Sequence, residues 1–346
     1  MRCLLVIFVM AISAKAEELR MNQLQVMGTH NSYHLAPKAK IIQLASMFSK
    51  KGVRAWSYSH KLLDEQLGVG VRQIELDLYL DPKGGVFAER GHEKLVAMKR
   101  PGLKVLHVPK VDFRSNYATF QDALKAVRKW SKKNQNHVPV MILLELKDTK
   151  LVPFGPDPVK FDRAKMEGVE EELLEVFQRD ELITPDLVRG DSATLRGAIL
   201  KKGWPLLSEV RGKVMFCLDN GGRHRDSYLK GNPSLEARLL FASVDREHPA
   251  AGFMKRNNPM KSFDEIQQLV KEGFIVRTRA DEDSVEAYAN DLNRMKKALA
   301  SGAQFVSTDY PEADPKVGEY VVSFPDGVVV RANPVALTMK LTGEIE

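Results

Sequence analysis

Short apolar runs rich in β-branched residues recur along the chain, and most are followed by a turn or a helical pattern. Residues 117–132, for example, place Phe120, Leu124, Val127 and Trp130 near one face of a helix. Helical patterns also cover residues 167–177, 262–271 and 283–300. The apolar runs predict strands at residues 24–28, 71–78, 104–108, 139–146, 213–218, 238–243, 274–278 and 304–307.

Strands that alternate with helices are typical of a parallel α/β sheet, and eight such strands favour a closed (β/α)8 TIM barrel in one domain. Two connections make this barrel irregular: the long polar loop 83–103 and the Gly- and Arg-rich segment 219–237. An open, doubly wound sheet is the alternative. No glycine-rich dinucleotide or phosphate loop follows an early strand. The tail after about residue 311 predicts a small appendage.

The N-terminus indicates the compartment. Met1 and Arg2 precede an apolar run at 3–12, and Ser13 to Ala16 then supply a small-residue cleavage pattern. This arrangement predicts a secretory signal peptide, residues 1–16, and a secreted or periplasmic domain at 17–346. The run is too short to span a bilayer, and no later apolar run reaches that length.

Composition narrows the class of protein. The 346 residues are 44% hydrophobic and 28% charged, which excludes disordered, collagen-like and coiled-coil chains. The two cysteines, Cys3 and Cys217, cannot build a disulfide framework. Loss of the signal peptide removes Arg2 and Lys15, which lowers the net charge from +7 to +5. A mildly basic surface attracts anionic partners such as lipid headgroups, although acids and bases are mixed along most of the chain.

Charged side chains cluster where the predicted strands end. In a barrel of this kind, active-site residues come from the carboxyl ends of the strands. Charged groups inside apolar strands are costly to bury without partners, so their recurrence at one end is not expected of a purely structural core. The strand ends carry His30 and Asn31, Glu75 and Asp77, His107, Glu145 and Lys147, Arg277 and Arg279, and Asp309.

Four of these residues offer only oxygen ligands: Asn31, Glu75, Asp77 and Glu145. One amide and three carboxylates suit Ca²⁺, or Mg²⁺, and do not suit zinc. The plainer interpretation is a set of buried carboxylates that pair with nearby basic residues.

Two histidines, His30 and His107, lie at the ends of predicted strands and are the candidate catalysts. Imidazole can donate to a phosphoryl oxygen and protonate a leaving group near neutral pH. His92, in a polar loop, is the main rival of His107. All six histidines other than His30 and His107, His92 included, fall in predicted loops or turns and are assigned to the surface. Histidines, a carboxylate-bound cation and arginines together favour cleavage of a phosphate diester.

At these residues the sequence resembles a known family. The runs MGTHNSYH, VRQIELDLYLDP, LKVLHVPKVDFRSNYATF and PVMILLELKD are similar to the secreted, calcium-dependent phosphoinositide-specific phospholipase C-like proteins of bacteria. That family belongs to the barrel-shaped phospholipase C-like phosphodiesterases. The later runs VMFCLDNGG, GFIVRTRAD and GAQFVSTDYP extend the resemblance over most of the mature chain.

The resemblance implies roles for individual residues. His30 stabilises the phosphate and His107 is the general acid. Headgroup binding falls to Lys147, Arg277 and Arg279. The calcium ligands implied are Asn31, Glu75, Asp77 and Glu145, and Glu75 also assists deprotonation of the inositol 2-hydroxyl.

The reaction implied is attack of the inositol 2-hydroxyl on phosphorus, which yields diacylglycerol and a cyclic inositol phosphate. The partner implied is a phospholipid headgroup at a membrane surface, without nucleic acid or a protein partner.

Other functions remain open on the same fold. A glycerophosphodiesterase usually opens with His-Arg-Gly, whereas this chain reads His30-Asn31-Ser32. Other phospholipids, including a sphingolipid, are alternative substrates. A non-catalytic protein that binds an anionic lipid or sugar phosphate is a further alternative. A secreted nuclease would need a basic and aromatic groove, and no such stripe is evident.

Overall fold

The computed structural model describes residues 14–15, 18–47, 50–325, 327–337, 341–342 and 345–346. Eight parallel strands, which we number β1 to β8, form one curled sheet with helices outside it. These strands are β1 (Leu24–Thr29), β2 (Gln73–Asp81), β3 (Val140–Leu146), β4 (Val214–Leu218), β5 (Leu240–Ala242), β6 (Phe253–Lys255), β7 (Ile275–Arg279) and β8 (Phe305–Thr308).

Each strand pairs in parallel with its neighbour, and β8 pairs with β1 through Phe305 to Thr308. A parallel bridge between Ser243 and Phe253 joins β5 to β6 and completes the ring. The (β/α)8 barrel predicted from the sequence is therefore confirmed, and the open doubly wound sheet is excluded. The barrel is irregular because two of its seams are thin.

One of the two thin seams lies between β1 and β2, and the side chain of Gln73 explains it. The two strands share one register pair, Gly28 with Gln73, and a hydrogen bond in which Arg72 N donates to Met27 O at 2.9 Å. The Gln73 side chain folds against Gly28, so that a Cβ on Gly28 would lie 2.3 Å from Gln73 Oε1. Gln73 Nε2 instead donates to Thr29 O at 3.2 Å. A side-chain amide thus replaces part of the backbone ladder.

One predicted barrel strand is wrong, and one barrel strand was not predicted. Residues 104–108 do not form a barrel strand, because Gly102–Val105 runs antiparallel to β2, from Val105 opposite Leu78 to Gly102 opposite Asp81. The strand that completes the eight is β6, which the sequence pattern missed. His107 therefore follows a hairpin strand that turns back along β2.

Further short strands extend the edges. Val330–Ala332 in the C-terminal tail pairs antiparallel with β1, Leu182–Ile183 pairs with β4, and Ala14–Lys15 pairs with Leu341–Thr342. Apart from Ala14–Lys15, the predicted signal peptide lies outside the described residues.

Helices cover the outside of the barrel. The segment predicted as one helix at 283–300 forms two, because Asn290 adopts a left-handed conformation with φ 48°. The helix after the hairpin begins at Phe120, where the Thr119 hydroxyl accepts from Asp122 N at 3.1 Å, and it buries Phe120, Leu124 and Val127. The α-helices are Ala39–Ser46, Lys50–Ala55, Leu63–Gly68, Leu95–Met98, Phe120–Lys133, Arg163–Leu174, Pro185–Arg189, Leu195–Lys202, Leu207–Val210, Gly222–Leu229, Phe263–Lys271, Val285–Ala289 and Asn293–Ala300, with 3-10 turns at Met21–Gln23 and Arg179–Glu181.

Candidate active site

An acidic cluster lies within β2 and at the carboxyl end of β3. Glu75 and Asp77 share one face of β2, and Asp77 is paired in register with Glu145 on β3. One carboxylate oxygen from each of Glu75, Asp77 and Glu145 lies within 4.8 Å of the others. The structure therefore brings together three of the four predicted metal ligands.

The carboxylates of this cluster fit a hard cation. Both Asp77 oxygens are buried, and the one salt bridge of this carboxylate among the described residues is with Lys147. Burial raises the pKa of Glu75 to about 7, against the opposing charge of Arg277. Burial and the nearby Asp77 likewise raise the pKa of Glu145 to about 7. Three carboxylates held this close repel one another, and a divalent cation with oxygen ligands would relieve that repulsion.

Asn31 lies directly after β1 in a turn with φ 45°, and it is 2% exposed. Its Nδ2 donates to the Tyr58 hydroxyl at 3.2 Å. The next residue, Ser32, donates its backbone N–H to Glu75 O at 2.9 Å, which ties this turn to β2. The fourth predicted ligand is thus attached to the strand that carries two of the others.

Basic residues accompany the acidic cluster. Lys147 Nζ lies 3.0 Å from both Asp77 Oδ2 and Glu145 Oε1. Arg277 is 1% exposed and donates from Nη2 to Glu75 Oε2 at 2.5 Å and from Nη1 to Asn257 Oδ1 at 2.6 Å. Two of the three residues predicted to bind the headgroup are therefore engaged with candidate metal ligands.

His30 forms a histidine–carboxylate pair with Asp309, the residue that follows β8. His30 Nδ1 donates to Asp309 Oδ1 at 2.8 Å, and Arg279 Nη1 lies 3.3 Å from His30 Nε2. Burial and the charge of Arg279 lower the pKa of His30 to about 3, although Asp309 opposes the shift. His30 is therefore a neutral imidazole whose Nε2 accepts from Arg279.

His107 forms the second pair, with Asp112. The two residues flank a tight turn in which Val108 and Asp112 exchange both backbone hydrogen bonds, at 2.8 and 2.9 Å. This turn returns Asp112 to His107, whose Nδ1 donates to Asp112 Oδ2 at 2.6 Å. Burial alone would lower the pKa of His107, but the hydrogen bond and charge of Asp112 outweigh it and raise the pKa.

A third histidine extends this pair. His34 Nε2 lies 2.7 Å from Asp112 Oδ1, and His34 Nδ1 donates to Tyr58 O at 3.1 Å. Asp112 is thus held between two imidazoles, and their charges and hydrogen bonds lower its pKa to about 2 in spite of burial. His34 therefore holds Asp112 in place, and Asp112 in turn fixes the orientation of the His107 ring.

The assignment of the remaining histidines to the surface is wrong for His34, His60, His92 and His137, which are all buried. His92, the rival of His107, stacks on Phe113, and its Nδ1 accepts from Lys94 N at 2.9 Å. The sequence pattern also failed to assign roles to Asp112 and Asp309. Asp309 could have been recognised from the sequence because it directly follows an apolar strand. Asp112 lies in a turn, and nothing in the sequence pattern distinguishes it from other polar turn residues.

Comparison with known proteins identifies the family. Residues 19–334 match the family described as Ca²⁺-dependent phosphoinositide phospholipase C. The chain belongs to this family. Ca²⁺-dependent phosphoinositide phospholipases C are enzymes of the phosphodiesterase class, and the family resemblance seen in the sequence is confirmed. A search of curated protein sequences gave no match.

Solved structures of phospholipases C share the fold. A calcium-dependent phosphoinositol-specific phospholipase C from Pseudomonas sp. is 16% identical, with a TM-score of 0.56 over 93% of this chain and 98% of that one. A Ca²⁺-dependent phosphatidylinositol-specific phospholipase C from Streptomyces antibioticus is also 16% identical, with a TM-score of 0.55 over 84% of this chain and 94% of that one. These likenesses show that the irregular barrel is a fold shared with solved bacterial phospholipases C.

This family member carries its polar groups at one rim of the barrel. The acidic cluster lies within β2 and β3, the His30–Asp309 pair follows β1 and β8, and the His107–Asp112 pair follows the hairpin strand that pairs with β2. In the described part of the chain, no helix is long and apolar enough to cross a membrane.

Proposed function

We propose that this protein is a secreted, Ca²⁺-dependent phosphodiesterase that cleaves phosphatidylinositol-type lipids to diacylglycerol and an inositol phosphate. The observation that carries the proposal is the acidic cluster, with the buried Asp77 carboxylate, beside two histidine–aspartate pairs. A cation site and two imidazoles together can supply the charge neutralisation and proton transfer that cleave a phosphodiester.

The cation site consists of Glu75, Asp77, Glu145 and Asn31 in this proposal. These oxygens would hold Ca²⁺, which would neutralise charge on the phosphodiester and lower the pKa of the attacking hydroxyl. Arg277 positions Glu75 rather than binding the headgroup, because the guanidinium is buried and already bonded to Glu75 and Asn257.

The histidines have different roles. The inositol 2-hydroxyl oxygen forms a bond to phosphorus while the bond from phosphorus to the diacylglycerol oxygen breaks. His107 gives its Nε2 proton to the departing oxygen, because Asp112 raises its pKa and holds Nδ1. Glu75 accepts the proton of the attacking hydroxyl. Arg279 contacts the phosphate oxygens. His30 donates to them once the bound phosphate has brought a proton to Nε2, because the neutral ring carries its proton on Nδ1.

An apolar groove beside His107 favours a lipid over a water-soluble diester. The groove has a volume of about 430 Å³ and is lined mainly by Ile41, Leu44, Val53, Trp56, Val111 and Phe154. The Trp56 ring lies 6.5 Å from the His107 ring, centroid to centroid. The proposed general acid therefore sits next to a surface suited to acyl chains, which are attached to its leaving group.

The cleavage assay tests the proposal directly. Mature protein, residues 17–346, is incubated with phosphatidylinositol vesicles in Ca²⁺ or in chelator, together with the His107→Ala variant. His248→Ala, which changes a half-buried histidine in the loop before β6, is the matched control. We expect Ca²⁺-dependent release of diacylglycerol and inositol phosphate that His107→Ala reduces by at least about 10²-fold and His248→Ala leaves unchanged.

Absence of cleavage by the unmodified protein in Ca²⁺ would contradict the phosphoinositide activity. Glycerophosphodiesters and sphingomyelin are then tested with the same preparation, since activity on either would redefine the headgroup. Failure on all three substrates would favour a binding protein.

We also propose that residues 1–16 are removed as a signal peptide and that 17–346 form the phosphodiesterase domain. The charge, apolar run and cleavage pattern of the N-terminus support this processing. Mass spectrometry of the exported protein should give Glu17 as the first residue, and an intact Met1 would contradict the assignment.

A further inference from the structure

The basic groups around the acidic cluster differ in how firmly they are held. Arg277 is anchored by Glu75 and by Asn257. Lys255 Nζ donates to both Asp219 Oδ2, at 2.6 Å, and Asp219 O, at 2.7 Å. Lys147 Nζ contacts Asp77 and Glu145 at 3.0 Å each and has no further polar partner among the described residues. Lys147 is thus held by the two candidate metal ligands alone.

The ammonium and a divalent cation would use the same oxygens. Ca²⁺ takes oxygen ligands at about 2.3–2.6 Å, and an ammonium nitrogen lies about 2.7–2.9 Å from the oxygens that accept its hydrogen bonds. A cation bound by Asp77 Oδ2 and Glu145 Oε1 would therefore lie in the space next to Lys147 Nζ, with strong repulsion between the two charges. One of them has to leave these oxygens.

Lys147 is able to leave. Its side chain is 13% exposed and lies at the rim, directly after β3. Its four-carbon stem is flexible, and its head is a point charge without the fixed geometry of a guanidinium. Asp77, by contrast, is fully buried within β2 and cannot follow.

We propose that Lys147 is a built-in competitor of Ca²⁺: its ammonium holds the Asp77 and Glu145 oxygens together, and metal binding displaces it toward the mouth of the site. This inference rests on the proposed Ca²⁺ site and goes beyond it, because it assigns Lys147 to the control of metal affinity. The calcium concentration that the enzyme requires is then set partly by one lysine.

The test is a calorimetric Ca²⁺ titration of the mature protein in the absence of lipid. Lys147→Met keeps the unbranched stem and removes the charge, and Lys147→Gln is a second variant in case the first does not fold. Lys255→Met is the matched control, since it removes the same charge from Asp219 without touching the Asp77–Glu145 pair. Circular dichroism verifies that each variant is folded.

We expect Ca²⁺ to bind Lys147→Met and Lys147→Gln at least about tenfold more tightly than the unmodified protein, and Lys255→Met to gain less than threefold. Equal or weaker binding by the Lys147 variants would overturn the inference. An equal gain in Lys255→Met would also overturn it, because a general change in potential would then explain the result.

The phosphatidylinositol assay separates this inference from the proposed function. Ca²⁺-dependent cleavage with unchanged affinity in the Lys147 variants would overturn only the competitor role. If neither the unmodified protein nor the Lys147 variants bound Ca²⁺, both the competitor role and the proposed metal site would be wrong.

Discussion

His30 and His107 both hydrogen-bond an aspartate through Nδ1, yet their pKa values are displaced in opposite directions. Around His30, burial and the positive charge of Arg279 outweigh Asp309. Around His107, the hydrogen bond and charge of Asp112 outweigh burial. At neutral pH His107 is thus the better proton donor, while His30 is a neutral ring. At His30 the charge of Arg279 adds to the effect of burial, which is the larger cause.

Replacement of Asp112 should reveal the acid role of His107. A general acid must be protonated, so kcat/KM falls as the pH rises through the pKa of His107, which Asp112 holds above its ordinary value. In Asp112→Asn this alkaline limb should move to lower pH, and kcat should fall by about 10²-fold or more because the ring loses its orientation. Measurement of kcat/KM between pH 5 and about 9 checks the shift.

Asp309→Asn is the matched change at the other histidine. It should lower activity without moving the alkaline limb, because the pKa of His30 lies far below that range. An alkaline limb that stays in place in Asp112→Asn would exclude His107 as the general acid.

At the scale of single residues, the functional side chains on strands could be recognised from the sequence, and the functional side chains in turns could not. Glu75, Asp77 and Glu145 interrupt apolar runs, where a charge is conspicuous because burial is costly. Asp112 and His34 lie in polar segments, where such residues are common. Their buried positions depend on the turn at 108–112 and on contacts with Tyr58, which are distant in sequence.

At the scale of elements, the apolar pattern gave the correct number of barrel strands but one wrong member. A run such as 104–108 has the same composition whether it pairs parallel or antiparallel, and only the course of the chain before it decides. The polar segment after β2 reverses the direction of the chain, so that Gly102–Val105 pairs antiparallel with β2. Strand β6 has three residues and ends on Lys255, which leaves almost no periodicity to detect.

The seam between β1 and β2 makes a prediction about this architecture. Gly28→Ala would place a Cβ 2.3 Å from Gln73 Oε1 and 2.6 Å from Gln73 Cβ. We expect a loss of about 1–3 kcal/mol in the free energy of unfolding, since the strands must separate or Gln73 must move. Denaturant unfolding measures the loss.

The double variant Gly28→Ala/Gln73→Ala distinguishes a clash from a general intolerance of alanine. Removal of the Gln73 side chain should recover part of the lost stability, although the hydrogen bond to Thr29 O is given up. If the losses in the free energy of unfolding of the two single variants simply added in the double variant, the two positions would be independent. The close approach of Gln73 to Gly28 would then not be the reason that alanine is unfavourable at position 28.

At the scale of the whole molecule, the proposed activity requires a dissolved protein to act on a lipid in a membrane. The barrel presents its polar rim and its apolar groove next to each other, through Trp56 and His107. Leu44 and Phe154 line this groove and are 54% and 67% exposed. Such large apolar side chains, grouped beside an active site, mark a contact surface for an apolar partner.

The groove therefore predicts a difference between lipid and water-soluble substrates. Leu44→Ser with Phe154→Ser should lower cleavage of phosphatidylinositol in vesicles by about tenfold or more, because each side chain contributes about 1–2 kcal/mol when it leaves water. Cleavage of glycerophosphoinositol, which has no acyl chains, should change less than about twofold, because the residues that contact phosphate are untouched. Val96→Ser, which alters an exposed valine outside the groove, should affect neither substrate. An equal loss on both substrates would mean that the groove supports the catalytic residues rather than the lipid, and the preference for lipids would then have to come from the headgroup site alone.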